Sequence, residues 1–262
     1  RLFAKIPVTQ VFRRYTNGQK SWKRPLLFVQ FAGVAFICGL MCMVMAQYQH
    51  VLNKDTGYNP ERIVFADASF GNADESAPAY QFFRGLPYVE AVSCANNTPI
   101  RGYSGAMIEG ESGQSLFSTR CCYEMREDYP QLMGMTLLQG RAMRETDEVI
   151  VNETFARMMH WGDEVLNRII PSEDSTFRVV GLLKDFQIQS FSMPLMPFMA
   201  CYGKGFGGTV HIRLKEPFTE NLQKLNKAVK EAYANSTIEF VSMEKTLVSS
   251  YNAVRVFRNA TL

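Results

Sequence analysis

A long stretch without charge constrains the fold of this chain more than any other feature. Residues 25–53 contain no Lys, Arg, Asp or Glu, and residues 26–46 have Gln30 as their only strongly polar side chain. At 1.5 Å per residue, a helix over residues 26–46 is about 31 Å long, which matches the roughly 30 Å hydrocarbon core of a bilayer. The stretch predicts a transmembrane helix which, together with the start of a stalk, occupies residues 25–50.

A buried core helix and a signal peptide fit this apolar stretch less well. A core helix rarely runs this far without a charge, and the apolar region of a signal peptide is usually only about 7 to 15 residues long. The mean hydropathy of −0.12 excludes a bundle of several spans, and 47% hydrophobic with 20% charged residues excludes a disordered chain.

The segment before the span is strongly basic. Residues 1–24 carry seven cations and no acid, so the rest of the chain sums to −4 against a net charge of +3. By the positive-inside rule this flank is cytoplasmic and the main domain lies outside. Its apolar residues between Ile6 and Tyr15 predict an amphipathic helix at the inner lipid interface, and a frayed tail is the alternative. Trp22 beside the cations favours anionic lipid, so we expect no nucleic-acid partner.

The region after the span predicts one compact α+β domain, over residues 51–258. Strand 62–69, helix 77–86 and strand 88–96 make a β-α-β beginning. Five further elements are expected from residue 148 onward. They are strand 148–152, helix 153–162 closed by Gly162, a long strand 177–189, and strands 196–202 and 209–214, which form a hairpin. A helix over 218–233, a strand over 236–243 and a helix beginning near Glu244 complete the expected order.

One glycine-rich motif invites a nucleotide-binding interpretation. Residues 203–208, GKGFGG, satisfy G-x-G-x-x-G. A dinucleotide site needs those glycines to open a helix, whereas residues 209–214 alternate as a strand does. The motif therefore predicts a hairpin turn, and since the chain has no G-x-x-x-x-G-K-[ST], it has no phosphate loop for ATP.

No arrangement of residues predicts a catalytic, cofactor-binding or metal-binding site. His50, His160 and His211 lie far apart in the sequence and outside any H-E-x-x-H, and a G-x-S-x-G nucleophile elbow is missing. We therefore expect a protein that is not an enzyme, has no cofactor and binds no metal.

The six cysteines form no spacing framework. Cys38 and Cys42 lie within the span and act as small hydrophobic residues. The other four are on the outer side, where an oxidising compartment allows a disulfide; they are Cys94, Cys121, Cys122 and Cys201. Which pair forms, if any, stays open, and reduced buried thiols are the alternative.

Several blocks, in order, resemble the MacB/FtsX-like ABC-transporter permeases. Residues 24–65 resemble the opening of one repeat, with a basic flank, an R-x-x-L-x-x-x-Q-F start to the span, a stalk and a first outer strand. The residues that carry this opening match are Arg24, Leu27, Gln30, Phe31, Gln47 and Gly57-Tyr58. Later blocks with the same likeness contain Gly140-Arg141, Asn152-Glu153, Gly181 and Lys184-Asp185-Phe186.

The resemblance implies a fold and a set of partners. It implies an N-terminal transmembrane helix followed by a bilobed mixed α/β periplasmic core domain, with a porter-like lobe and a smaller β-rich lobe. It further implies the bacterial inner membrane, a second permease copy or half in a dimer, a cytoplasmic ABC ATPase, and a periplasmic or outer-membrane partner. In this family ATP binding moves the outer domain to export a substrate. Residues 259–262 would then approach a following span.

Two different functions stay open from the sequence. A membrane-anchored extracytoplasmic sensor would bind a ligand outside and signal inward, although residues 1–24 contain no kinase or adaptor sequence. A structural regulator of cell-envelope enzymes would share the same fold and mechanics. Among the block residues, we expect Gly181 to permit close packing or a bulge and Asp185 to cap a helix or pair with a cation.

Overall fold

The structure is a computed structural model of the 262-residue chain. It describes residues 23–52, 55–69, 73–101, 105–109, 114–119, 121–171, 176–188, 194–203, 205, 207–233 and 237–249. The expected amphipathic helix before residue 23 and the approach to a further span at 259–262 lie outside the described residues. The chain divides into two compact units, residues 1–54 and 55–262, and each is described by itself.

The first unit contains one long helix, α1 (Lys23–Leu52). Pro25 lies in its first turn, where a missing backbone N–H breaks no intrahelical bond. Within α1, the segment Arg24–Ala46 has a mean hydropathy of 2.3, and none of its side chains is buried by the protein. Its length and composition suit a membrane span, as the sequence predicts.

The second unit is a sheet-rich α/β body. Its helices are α2 (Ala73–Gly85), α3 (Tyr129–Leu132), α4 (Glu153–Met158) and α5 (Phe218–Ala232). Residues 243–249 form a further helix, which we call the final helix. The strands are β1 (Ile63–Ser69), β2 (Val89–Ala95), β3 (Ala106–Glu109), β4 (Ser115–Thr119), β5 (Cys121–Met125), β6 (Leu137–Gly140), β7 (Glu148–Asn152), β8 (Ile169–Pro171), β9 (Thr176–Leu183), β10 (Phe198–Tyr202), β11 (Gly207–Leu214) and β12 (Val241–Ser242).

Four strands and two helices form a ferredoxin-like lobe. The strand order is β12-β1-β11-β2, and β11 runs antiparallel to both β1 and β2. Strands β1 and β2 are thus parallel and joined through α2, while β11 and β12 flank β1 and are joined through α5. Two such split β-α-β units define the ferredoxin-like arrangement. Residues 96–206 are inserted between β2 and β11.

The insertion forms a second, β-rich lobe on the same sheet. Its strands continue the order as β5-β10-β7-β9-β6, with β8 also paired to β9. The two halves of the sheet meet at β2 and β5, where the pair Ala95 and Met125 is in register. Strands β3 and β4 form a separate two-stranded sheet. The body is therefore mixed α/β and bilobed, as expected.

Apolar side chains from both lobes build the core. Leu225 and Val229 lie one helical turn apart on α5 and pack with Phe83 of α2 onto one face of the ferredoxin-like sheet. Each such buried side chain contributes roughly 1.5–3 kcal/mol. The other face carries Phe65, which belongs to a cluster that also includes Tyr129 and Met133 from the inserted lobe. One face of this sheet thus joins the two lobes.

The expected hairpin around GKGFGG is wrong. Strands β10 and β11 are separated in the sheet by β2 and β5, so the glycine-rich segment connects strands that do not pair with each other. Gly208 has φ +82°, and a Cβ there would lie 2.7 Å from the carbonyl oxygen of Ala95. Gly208 therefore serves the crossing between lobes, because the chain passes too close to β2 there for a side chain.

Three other expected elements are shorter than the sequence predicts. Strand β9 ends at Leu183, since the next residues turn away and bond to the segment after α1. Helix α4 ends at Met158 rather than at Gly162. The strand expected over 236–243 keeps only Val241 and Ser242 in pairing, and the final helix begins one residue before Glu244.

Candidate functional site

Two sequence blocks meet at the start of α4. Asn152 is its N-cap, and the side-chain oxygen of Asn152 accepts from the backbone N–H of Phe155 (3.0 Å). Asp185, which follows β9, accepts from the backbone N–H of Thr154 (2.8 Å) and from its hydroxyl (2.7 Å). The Arg157 guanidinium lies 3.2 Å from the same carboxylate. Asp185 therefore both caps a helix and pairs with a cation.

Asn152 also fixes a third segment. Its side-chain oxygen accepts from the backbone N–H of Phe198 (2.9 Å), and its side-chain nitrogen donates to the Met196 carbonyl oxygen (2.9 Å). Because Asn152 is fully buried, losing these bonds would leave polar groups without water. The amide thus joins the end of β7 and the start of β10 to the start of α4.

The segment that follows α1 in the sequence is docked on this end of the inserted lobe. We call residues 55–60 the lead-in segment. The backbone N–H of Gln187 donates to the Thr56 carbonyl oxygen (2.7 Å), and the Lys184 ammonium lies 3.5 Å from the Asp55 carboxylate. Asp55 also accepts from the backbone N–H of Gly57 (2.8 Å), which closes a local turn.

Gly57 is where the lead-in segment lies closest to the backbone that follows β9. Its φ of +76° lies in the left-handed region, and a Cβ added there would be 2.6 Å from the Phe186 Cβ and 2.7 Å from the Asp185 carbonyl oxygen. Only glycine meets both conditions without strain. The lead-in segment is therefore pressed directly against the backbone that follows β9.

A second anchor ties the lead-in segment to the end of α3. The backbone N–H of Asn59 donates to the Met133 carbonyl oxygen (2.8 Å). The Arg213 guanidinium of β11 donates to the Leu132 carbonyl oxygen (2.5 Å) and to that of Glu61 (3.2 Å). The chain after residue 54 is thus held by both lobes within its first seven residues.

The final helix packs into the same core. Met243 and Leu247 belong to the buried cluster that contains Tyr58 of the lead-in segment and Met133. Ser242 pairs with Val64 of β1 just before that helix starts. The segments by which the chain reaches and leaves the described body therefore share one hydrophobic core.

A buried ion cluster lies at the opposite end of β7. The Glu148 side chain is 1% exposed, accepts from the Arg144 backbone N–H (2.8 Å), and pairs with the guanidiniums of Arg141 and Arg178 (3.1 Å to the latter). The hydrogen bond from Arg141 lowers the pKa of Glu148 to about 2, against the opposing effect of burial.

Gly181 of β9 lies close to the Arg141 backbone. A Cβ at Gly181 would be 2.6 Å from the Arg141 carbonyl oxygen, and the register between β7 and β9 shifts next to Gly181. The expected close packing and bulge therefore both occur.

The described residues offer no metal centre. Within that part of the chain, no three His, Cys, Asp or Glu side chains lie close enough to hold a metal ion. Cys94 is buried in the sheet, with its Sγ 3.4 Å from the Gly205 carbonyl oxygen. The side chains of Cys121 and Cys122 lie outside the described residues, so a disulfide pairing stays a prediction.

Several residues of the site carry no sequence signal. Asn59, Tyr129 and Arg213 occur in no recognisable block, and their roles depend on contacts between segments far apart in the sequence. By contrast, Asn152, Gly181 and Asp185 fall in the blocks that the sequence singles out. The sequence finds the cap and the bulge but misses the anchor at α3.

Comparisons with known proteins identify the fold. No protein-family model and no curated protein matches the sequence. The structure is similar to the periplasmic region of MacB from Actinobacillus actinomycetemcomitans, with a TM-score of 0.51 and 14% identity over 75% of this chain and 95% of that one. It is also similar to a domain of a predicted permease protein from Porphyromonas gingivalis, with a TM-score of 0.50 and 18% identity over 69% of this chain and 89% of that one. The resemblance seen in the sequence is confirmed at the level of the fold.

Proposed function

We propose that this chain is a non-catalytic permease segment of an ABC transporter of the MacB/FtsX type. In this proposal α1 crosses the bacterial inner membrane, residues 1–24 are cytoplasmic and the body is periplasmic. Support comes from the MacB-like fold of the body, the apolar length of α1 and the seven cations before it.

The docking of the lead-in segment is the observation that carries the proposal. A permease of this type must turn a movement of its span into a movement of its outer domain. Two backbone hydrogen bonds, from Gln187 to Thr56 and from Asn59 to Met133, tie the lead-in segment to different parts of the body. Gly57 packs against Phe186 between them. A displacement applied at residue 55 would therefore reach the body through short, stiff contacts.

The remaining parts come from partners in this proposal. A cytoplasmic ABC ATPase binds and hydrolyses ATP, because the sequence has no phosphate loop. A second permease copy or half completes a dimer, and a periplasmic or outer-membrane partner receives the exported substrate. Coupling requires that the nucleotide states favour different arrangements of the outer domains.

Distance measurements on the parent complex test the proposal. Spin labels at Gln81, which is exposed on α2, would be placed in both permease copies assembled with their ATPase. We expect different distance distributions in the nucleotide-free and vanadate-trapped states. An insertion of Gly-Gly-Pro between residues 53 and 54 should abolish the difference, since it breaks the connection without touching either end.

A matched insertion controls for general damage. The same three residues placed after Asp163, an exposed turn position, should leave the nucleotide response intact. If the spin-label distances in the unmodified complex do not change with the nucleotide state, the proposal is contradicted. That result would favour an extracytoplasmic sensor or a regulator of cell-envelope enzymes. A response that survives the insertion at residue 53 would show that another segment carries the coupling.

A further inference from the structure

A buried histidine lies where the two lobes meet. His211 of β11 is 0% exposed and is in register with Phe65 of β1 and Ser93 of β2. Its ring stacks on Phe65 at a centroid distance of 6.0 Å, and the Tyr129 ring of α3 meets it edge to face at 5.0 Å. The imidazole thus lies on the face of the ferredoxin-like sheet that packs against the inserted lobe.

The hydrogen bonding of this imidazole is one-sided. Its Nδ1 lies 3.1 Å from the Thr209 carbonyl oxygen, which can only accept, so Nδ1 carries the proton. Nε2 therefore holds the lone pair, and it has no hydrogen-bond partner among the described protein atoms. A second proton on Nε2 would be a buried donor without an acceptor.

The carboxylates that face this region are already engaged. Asp67 of β1 accepts from the Thr209 hydroxyl (3.1 Å) and from the Arg101 guanidinium, which also covers the Phe65 ring at 4.8 Å. The Asp67 side chain is 63% exposed, so water screens its charge. It offers little compensation to a buried imidazolium.

Asp128, just before α3, is engaged as well. It accepts from the hydroxyls of Ser93 (2.5 Å) and Tyr80 (3.2 Å), and the Arg126 guanidinium lies 3.7 Å away. Arg213 lies on the same strand as His211 and donates to the carbonyl oxygens of Leu132 and Glu61, so it supplies no counter-charge to an imidazolium. Within the part of the chain that the structure describes, Asp67 and the Thr209 carbonyl therefore favour the protonated form too weakly to offset its burial.

The titratable neighbours of Tyr129 add no charge that could help. Burial raises the pKa of Tyr129 well above its usual value, and Tyr58 and Cys94 raise it further. The phenol therefore stays neutral, and Tyr129 cannot become a counter-ion for His211 at any ordinary pH.

Tyr129 connects the imidazole to the lead-in segment. It is the first residue of α3, and the helix ends at Leu132. The carbonyl oxygen of Met133 accepts the Asn59 backbone N–H, and that of Leu132 accepts from Arg213. A displacement of the Tyr129 ring would therefore disturb the Asn59–Met133 bond, which holds the lead-in segment to the end of α3, and the Arg213–Leu132 bond beside it.

We propose that His211 is a pH-sensitive latch that controls the docking of the lead-in segment. While the imidazole is neutral, Tyr129 and α3 stay packed on the sheet and hold Asn59. When Nε2 takes a proton, the unaccepted charge displaces Tyr129, and α3 releases the lead-in segment. This inference rests on the proposed function in giving that docking a role in coupling, although the latch itself can be tested without the ATPase.

The direction of the pH dependence follows from burial. Desolvation lowers the pKa of His211 to about 4, against the smaller opposing effects of the Thr209 carbonyl and Asp67. In the open form His211 has its ordinary pKa, so it binds a proton more tightly there than it does in the closed form. The closed form is therefore favoured above pH 6.5 and loses its advantage as the pH falls from 6.5 to about 4.

Hydrogen exchange on the full chain in lipid nanodiscs tests the latch. Protection factors, corrected for the intrinsic rate, would be measured by mass spectrometry at pH 7.5 and 4.5. For the α3 amides and Asn59, the opening equilibrium should rise on the order of 70-fold between these pH values. Helix α5, which packs on the other face of the sheet, serves as the internal reference and should change much less.

Two variants separate the latch from general acid unfolding. His211→Phe keeps an aromatic ring and removes the titration, so its α3 amides should lose no more protection than those of α5. His160→Phe, at an exposed histidine, should behave as the unmodified chain. If His211→Phe does not fold, His211→Gln takes its place, and the comparison of α3 with α5 in the unmodified chain stands by itself.

The outcomes are distinct. Equal loss of protection in α3 and α5 of the unmodified chain would mean global unfolding and would overturn the latch, as would an undiminished pH response in His211→Phe. A selective response of α3 that vanishes in His211→Phe supports it. Nucleotide-independent distances in the parent complex would contradict the proposed function and would leave these exchange results unaffected.

Discussion

Replacing Gly57 with alanine should destabilise the body more than any other single methyl addition in the lead-in segment. A non-glycine residue at φ +76° costs roughly 1–2 kcal/mol. The added Cβ would overlap the Phe186 Cβ at 2.6 Å and the Asp185 carbonyl oxygen at 2.7 Å, and such overpacking costs about 1–3 kcal/mol. Together these effects lower the free energy of unfolding by about 2–5 kcal/mol.

Thermal unfolding of the full chain in detergent, followed by the circular dichroism of the sheet, measures this effect. For a body of this size, a loss of 2–5 kcal/mol lowers Tm by roughly 5–15 °C. Gly162→Ala is the matched control, because Gly162 also has a positive φ (+57°) but a Cβ there would meet nothing within 4 Å. If Gly57→Ala lowers Tm no more than Gly162→Ala, the lead-in segment is not pressed against Phe186 as closely as its docking requires.

Three further predictions concern other parts of the chain. Because the folded-state pKa of Glu148 is lowered to about 2, its contribution to stability is present above pH 4.5 and is lost as the pH falls from 4.5 to about 2. Glu148→Gln should therefore lower the unfolding free energy at pH 7 by about 2 kcal/mol, a value reduced for the half-exposed guanidiniums, and a denaturant titration that shows the same difference at pH 2 would contradict this. Phe83→Ala should lower the unfolding free energy by about 3–5 kcal/mol, whereas Gln81→Ala on the exposed face of α2 should change it by less than about 0.5 kcal/mol. In intact cells, a cysteine at Gln81 in a cysteine-free chain should react with a membrane-impermeant maleimide and one at Lys20 should not, and the reverse pattern would refute the proposed orientation.

The sequence predicts local elements better than it predicts their partners. Strands β1, β2 and β7 and helix α5 lie where hydrophobic patterning places them, and α1 follows from the charge-free apolar stretch. Helix α2 begins at Ala73, four residues before the expected start at residue 77. The order in which strands pair is not local, and so the sequence wrongly joins β10 and β11 into a hairpin because only a short glycine-rich segment separates them. β9 ends at Leu183 because the next residues bond to Thr56, a contact that no periodicity within 177–189 reveals.

The same limit applies to the candidate site. Asn152 and Asp185 are recognisable because they fall in the blocks that resemble the permease family, and a polar residue just before a helix suits an N-cap. Asn59 and His211 act through partners about 70 to 80 residues away, Met133 and Tyr129, and no spacing in the sequence connects them. The sequence therefore reveals the residues that organise one helix but not those that join two lobes.

The chain leaves the ferredoxin-like lobe after β2 and returns to it at β11, and this has a consequence for how the chain folds. Ala95 at the end of β2 lies opposite Thr209 of β11, although about 110 residues separate them along the chain. Closing a flexible loop of that length costs about 4 kcal/mol in chain entropy. If the strands of the insertion pair first, mostly with each other, they bring residues 95 and 209 together before β2 meets β11. The ferredoxin-like lobe should thus complete its sheet last, after the inserted lobe has formed.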